Sequence, residues 1–326
     1  MCVDVRINCQ RQALCRNAGQ SAGIWHSAKI ARQWRQRSKR SCLYGVAHSA
    51  AGECGNRIFR GRNFRATVTF SDGGQNDSFN ASSVITDSQG LASTTYTLSK
   101  TAKTVTVTAS SPVLAKVTFT ETGTPGSPRW VLVQSGNQQN APVTTMLLLP
   151  LVVKVSDSYG NGISGIPVNL SAGTFGGTLS ASSAVTNSLE RASVNYTTST
   201  KAGKATILGT VAGMTSRAQF AETVTAGPAA GIVAISGNGQ TAAANTPLAS
   251  PLVARVNDQY GNPVPGASVS FSDGAAGGAF ATNPLTTDST GTASATYTTP
   301  PSPGQVTVNA TVAGVATAVN FIVSVQ

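Results

Sequence analysis

Pro150-Leu-Val-Val-Lys-Val-Ser-Asp-Ser-Tyr-Gly-Asn161 returns 101 residues later as Pro251-Leu-Val-Ala-Arg-Val-Asn-Asp-Gln-Tyr-Gly-Asn262. In both copies the first five residues after the proline carry apolar side chains at positions one, three and five, with Lys154 or Arg255 at position four. A period of two is that of a strand with one face on a core and the other toward water. The Tyr-Gly-Asn that follows is turn chemistry, because glycine and asparagine tolerate the backbone angles that other residues avoid.

The same offset runs through the rest of the chain. Ser135-Gly-Asn137 matches Ser236-Gly-Asn238; Phe119, Phe220 and Phe321 are successive equivalents, as are Tyr96, Tyr196 and Tyr297. Val68 and Phe70 match Val168 and Leu170, then Val269 and Phe271. Residues 66–126 therefore read as the back part of a first repeat, 127–227 as a second and 228–326 as a third. The junctions Gly123-Thr-Pro-Gly-Ser-Pro128 and Thr225-Ala-Gly-Pro-Ala229 are short and rich in Pro and Gly, as linkers between compact domains are. A period of this length is a domain rather than a solenoid turn or a propeller blade. Within each repeat, Val- and Thr-rich alternating runs such as Val105-Thr-Val107 and Val306-Thr-Val308 are separated by turn dipeptides, and no helical periodicity longer than two turns follows residue 66. Roughly seven short strands per 100 residues predict an all-β fold, a two-sheet antiparallel β-sandwich in each repeat. With aromatics sparse, the cores are expected to be Val, Leu, Ile and Ala around the recurring Phe and Tyr.

The run from Val256 to Phe271, Val-x-Asp-x-Tyr-Gly-Asn-Pro-Val-x-Gly-x-x-Val-x-Phe, followed by Thr287-Asp288-x-x-Gly291-x-Ala293, resembles the bacterial Ig-like domain of group 1. That repeat occurs in invasin- and intimin-type surface proteins. The resemblance covers residues 66–326 and implies tandem Ig-like domains on the outside of a bacterium, used in cell adhesion as a spacer or stalk. The second repeat departs from the pattern twice: Gly162 stands in place of Pro263, and Glu190 stands where Gly90 and Gly291 do. A glycine there signals a left-handed backbone that Glu adopts only at a cost, so that turn is expected to be looser or differently shaped.

Residues 1–65 are a different material. Of the 326 residues, these 65 hold 13 Lys/Arg against 2 Asp/Glu, which is the entire formal charge of +11, together with all five Cys and both His. Strand alternation is missing from Ala31-Arg-Gln-Trp-Arg-Gln-Arg-Ser-Lys-Arg40, where the front half of the first repeat should lie. The segment is expected to be disordered or translated in a shifted frame. Reading the last base of each codon with the first two of the next from Arg57 to Ala66 permits Asp-Phe-Gln-Gly-x-(Glu/Gln/Lys)-Phe-Pro-Gly, against Asp258-Gln-Tyr-Gly-Asn-Pro-Val-Pro-Gly266 at the expected register. The competing reading is a basic arm, with Trp25 and Trp34, for nucleic acid or an anionic membrane. The Cys spacings contain no Cys-x-x-Cys pair and fit no common zinc site. Residues 1–30 show no apolar stretch long enough for a secretory signal, and Met146-Leu-Leu-Leu-Pro150 is too short to span a bilayer.

Residues 66–326 contain neither His nor Cys, so nucleophilic triads, His–metal sites and disulfides are outside their repertoire. Their 10 acidic residues are balanced by 10 basic ones, and no nucleic acid is expected as a partner. No cofactor is expected and no catalytic residue is nominated; no glycine-rich phosphate loop precedes a helix. Asp157 and Asn161, with their equivalents Asp258 and Asn262, are weak candidates to supply oxygen ligands to calcium at the repeat junctions. The alternative is that they bond their own backbone in the turn after the strand. The leading functional reading is a non-catalytic spacer, whose partners are neighbouring repeats or a host or environmental surface ligand. The other is a glycan- or receptor-binding module, which wants clustered exposed aromatics; Trp130 is the one Trp after residue 66, and it is replaced by Gly231 in the third repeat.

Overall fold

The structure, a computed structural model, describes residues 2–8, 65–75, 77–87, 91–112 and 114–326. The remaining cysteines, both histidines, Gly90 and the shifted-frame reading upstream of Ala66 lie outside the described residues. Apart from a 3-10 turn at Gly173–Phe175, the regular structure described is β-strand.

The second repeat is two main sheets with a short added pair, Thr178–Leu179 against Tyr196–Thr197. One has the order Arg191–Val194, Leu151–Ser156, Trp130–Ser135; the other runs Ser183–Val185, Pro167–Ser171, Gly203–Thr210, Arg217–Thr225, Asn140–Pro142. All pairings are antiparallel except the last, in which Asn140–Pro142 lies parallel to Arg217–Thr225. The third repeat reproduces the arrangement strand for strand, including the parallel pair of Gln240–Ala242 with Val319–Val325. The tandem Ig-like antiparallel β-sandwich expected from the repeat pattern is the observed architecture.

The core follows the alternation. Leu151, Val153 and Val155 are fully buried, and so are Leu252, Ala254 and Val256, while Lys154 and Arg255 between them are half-buried. Phe220, Tyr196, Phe321 and Tyr297 are 0% exposed and anchor their cores. Burying such a side chain contributes about 1.5–3 kcal/mol, so these positions outweigh any surface contact in setting stability. The buried tyrosine hydroxyls still need acceptors. Tyr297 Oη donates to Asp273 Oδ2 at 3.0 Å, whereas Tyr196 Oη donates to the Gly176 carbonyl at 2.8 Å because Ala172 stands in place of the aspartate. The Ser-Gly-Asn motif proves to be a corner. A Cβ on Gly136 or Gly237 would lie 2.0 or 2.2 Å from the carbonyl oxygen of Pro150 or Pro251, so nothing larger fits. The Asn that follows accepts the amide of Ala221 or Ile322 at 2.8 and 2.7 Å, tying the corner to the last strand.

In the first repeat, Ser83–Ile85, Thr67–Ser71, Thr104–Ser111 and Leu114–Thr122 form one sheet around Val68, Phe70, Val107 and Phe119. The other sheet brings a difference from the sequence reading. Cys2–Asn8, within the segment expected to be disordered or frame-shifted, is a strand antiparallel to Leu91–Thr97, with Val5 opposite Thr94. Thr94 is the counterpart of Val194 and Ala295, which pair with Leu151 and Leu252. The N-terminal strand thus holds the slot that the 151 and 252 strands hold in their own repeats. Its Val3, Val5 and Ile7 alternate, a period-two run that the composition of the surrounding basic segment obscures.

Candidate functional site

Chain contacts divide the molecule into two compact units, Met1–Gly126 and Ser127–Gln326, so the second and third repeats form one body. Inside that body, the four residues nominated as calcium candidates do two related jobs.

In each repeat the aspartate closes the loop after the strand. Asp157 Oδ1 accepts the amides of Tyr159 and Asn161 at 2.8 and 2.9 Å, and its Oδ2 accepts Asn161 Nδ2 at 2.8 Å. Asp258 repeats the pattern with Tyr260, Asn262 and Asn262 Nδ2, all at 2.8–2.9 Å. This is the backbone-bonding alternative, the side chain taking the place of a turn. The carboxylate oxygens face N–H donors. Among the described residues no group of three or more His, Cys, Asp or Glu is gathered as a metal site.

The third-repeat loop also reaches back to the second repeat. Asn262 Oδ1 accepts the amide of Ala202 at 2.8 Å, and Asn262 Nδ2 donates to the carbonyl of Thr200 at 2.8 Å. Asp258 Oδ2 accepts the amide of Gly227, in the linker, at 2.9 Å. Both side chains are buried, Asp258 4% and Asn262 9% exposed. A primary amide that meets one N–H and one C=O of the same loop fixes orientation as well as distance. Burial alone would push the Asp258 carboxyl up, but the Asn262 side chain and the amides of Gly227, Asn262 and Tyr260 outweigh it and hold the carboxyl below its ordinary value. The Gly227 bond goes to a charged group and is worth about 1.5–3 kcal/mol, and the two neutral bonds of Asn262 add about 0.5–1.5 kcal/mol each, so the joint resists bending on a scale above thermal energy.

The two departures noted in the second repeat compensate for each other. Glu190 adopts φ +65°, matching Gly291 at +74°, and both amides close the same turn onto Asn187 or Asp288 at 2.8 and 2.9 Å. The turn therefore keeps its shape, contrary to the expectation of a looser one, and Glu190 carries the strained angle. The space it needs exists because Gly162 replaces Pro263: a Cβ on Gly162 would lie 1.9 Å from Glu190 Oε2, and one on Gly291 would lie 2.9 Å from Pro263 Cβ. Lys154 Nζ stands 3.9 Å from Glu190 Oε2, a partly exposed pair worth a few tenths of a kcal/mol; the exchange is one of volume, not charge.

Sequence reasoning passed over two groups. Glu222 is 0% exposed; its Oε2 accepts the amide of Gln139 at 2.6 Å, while Oε1 has no partner. Burial pushes this carboxyl up. Its position between Phe220 and Val224 on the inward phase of an alternating strand was the available signal. Gln139 and Gln240 were the other omission: their amides bind Gly136 and Leu149, or Gly237 and Ser250, across the corner at 2.8–2.9 Å.

Trp130 is 45% exposed, with the Arg129 guanidinium 5.5 Å from its ring centroid. Tyr159 and Tyr260 are also exposed, one in each Asp-to-Asn loop. The ring–ring contacts among the described residues all involve core Phe and Tyr side chains.

The bacterial Ig-like domain (group 1) family matches residues 232–323. The family match agrees with this architecture. No curated protein matches the chain at a significant level. Among solved structures, the Escherichia coli adhesin FdeC is 22% identical with a TM-score of 0.49, covering 79% of this chain and 85% of its own. Yersinia pseudotuberculosis InvD is 15% identical with a TM-score of 0.43, covering 79% and 86%. Invasin, titled a bacterial integrin-binding protein, is 16% identical with a TM-score of 0.43; the match takes 80% of this chain and 53% of invasin. By its repeat, its paired sheets and the match at residues 232–323, this chain carries a bacterial Ig-like domain of group 1 within a tandem of Ig-like β-sandwiches.

Proposed function

We propose that the chain is a non-catalytic spacer of a bacterial surface adhesin, its repeats holding a binding tip away from the cell. The observation that carries this reading is the buried Asp258–Asn262 joint, which spends polar side chains on fixing one sandwich to the next. The family match supports a setting at the cell surface, and residues 66–326 contain neither His nor Cys, so Ser-His-Asp and Cys-His constellations have no members there. No helix among the described residues is long and apolar enough to cross a membrane. The second reading, a glycan- or receptor-binding module, rests on the exposed Trp130 beneath Arg129, a pairing able to stack on a sugar or an aromatic partner.

One experiment separates the two. The chain is immobilised and exposed to panels of glycans and extracellular-matrix proteins, then stretched singly. A spacer shows no saturable binding and unfolds in discrete steps, each releasing roughly 300 Å of chain for a repeat of about 100 residues. Saturable binding that disappears in Trp130→Ala establishes the second reading instead.

A further inference from the structure

The joint between the second and third repeats has a donor side and a receiving side, and the two can be followed separately. The donor is the Asp258–Asn262 loop. The receiving side is the loop before strand Gly203–Thr210, where Ala202 offers its N–H and Thr200 its C=O, together with the N–H of Gly227 in the linker. The same loop in the third repeat precedes strand Gly304–Val312 and has the same backbone course. Gly203 and Gly304 share φ values of +142° and +141°. Just upstream, Thr198 and Thr299 donate their amides to the carbonyls of Thr145 and Thr246 at 2.9 and 3.0 Å. The chemistry differs. Thr200-Lys-Ala202 is replaced by Pro301-Ser-Pro303. Proline has no backbone N–H, so the third repeat lacks the donor that Asn262 Oδ1 requires.

We propose that the end of the third repeat formed by Pro300-Pro-Ser-Pro-Gly304 is an articulation surface: it takes an Ig-like module carrying an Asp-x-x-x-Asn loop only through a loose joint, in contrast to the fixed joint before it. An incoming asparagine there can still donate to the Pro301 carbonyl. Its oxygen, however, faces the proline ring with no donor and is desolvated without compensation. The contact of the aspartate with the linker glycine is retained, but an asparagine amide held at one atom instead of two no longer fixes orientation, and the module is freer to swing. The property is geometric. It holds whether or not the chain is a spacer, and whatever lies beyond residue 326.

The test extends the full chain by Ala-Gly, the counterpart of Ala226-Gly227, and a second copy of residues 228–326. Spin labels, placed in a background whose native cysteines are replaced, report the distance distribution across each joint. The distribution across the added joint is expected to be at least twice as wide as that across the second–third joint. Pro303→Ala, which restores an N–H on an exposed loop, is expected to narrow it to the native width. In the second–third joint, Asn262→Ala is expected to produce the same broadening. An added joint as narrow as the native one with Pro303 in place overturns the proposal. So does an added joint that stays broad after Pro303→Ala while the circular dichroism and melting of both copies are unchanged.

Discussion

The second and third repeats share a strand order, a corner and a turn, yet they solve two local problems in opposite ways. Where the third repeat buries Val323 beside a corner whose left-handed residue is Gly239, the second buries Glu222 beside Gln138, which holds φ +62°. Where the third pairs Pro263 with Gly291, the second pairs Gly162 with Glu190. In each case the second repeat carries a strained backbone or a desolvated charge that the third avoids, without any change of fold. The backbone of this sandwich is set by its apolar inward positions and its corners. Single sites can then drift as long as the partner that shares their space drifts with them.

Moving the buried carboxylate is the harshest way to break the comparison. Val323→Glu should destabilise the third repeat by about 3 kcal/mol at neutral pH, since a charge is desolvated there, and acid should recover part of the loss. The native second repeat already carries the milder form. Its Glu222 has a folded value raised above the ordinary 4.5, so the folded state holds the proton more tightly. The stability of that repeat is therefore greatest below 4.5, falls as pH rises through the raised value, and is level above it. Tyr196 is the titratable group on which the Glu222 charge acts. Denaturant titrations from pH 4 to 8 should show this slope in the second repeat, none from position 323 in the third, and its loss in Glu222→Val. A second repeat insensitive to pH in both forms would contradict the assignment.

Next in size is the exchange at the turn. Gly291→Glu alone should cost about 2 kcal/mol, from the left-handed angle and the approach of its Cβ to the Val256 carbonyl oxygen at 2.8 Å and to Pro263 Cβ and Val264 N at 2.9 Å. Adding Pro263→Gly should return about 1 kcal/mol of it, a coupling within the range of residues in contact. Strict additivity in the double-mutant cycle would show that the volume exchange is incidental.

Asn262→Ala should cost about 1–2 kcal/mol, read as separation of the melting transitions of the two repeats rather than as a fall in either alone. The joint also has its own pH window, opposite to that of Glu222. Asp258 is held below its ordinary 3.8, so its contribution is complete above 3.8 and disappears as pH falls through the lowered value. The smallest effect belongs to Lys154→Ala, about 0.3 kcal/mol, because its partner Glu190 is partly exposed. A larger loss would mean that the Glu190 turn depends on charge after all.

The sandwich could be read from the sequence because its determinants are local and repeated. The inward residues at 151, 153 and 155 return at 252, 254 and 256, and the corner glycines return with them. Gly162 and Glu190 were legible as departures but not as compensation, since they lie 28 residues apart and meet only when the sheet folds. Asp258 and Asn262 were legible as turn residues. Their second set of partners at 200, 202 and 227 was not, because contacts across a joint leave no periodicity in the chain. The Cys2–Asn8 strand was hidden for another reason: seven alternating residues sit beside a long basic run whose composition dominates any average.

The parallel pairs have a mechanical consequence. In the second repeat Asn140–Pro142 is bound alongside Thr223 to Thr225, and in the third Gln240–Ala242 is bound alongside Val323 to Val325. An early strand and the last strand of each sandwich therefore run side by side in the same direction. A pull on the two ends of a repeat drags these strands past one another, so their hydrogen bonds are loaded together in shear and must fail together. A hairpin pulled open at one end would instead surrender them singly. With no cysteine after residue 65, no covalent crosslink shares that load, and each sandwich meets tension with this short clamp and the packing behind it.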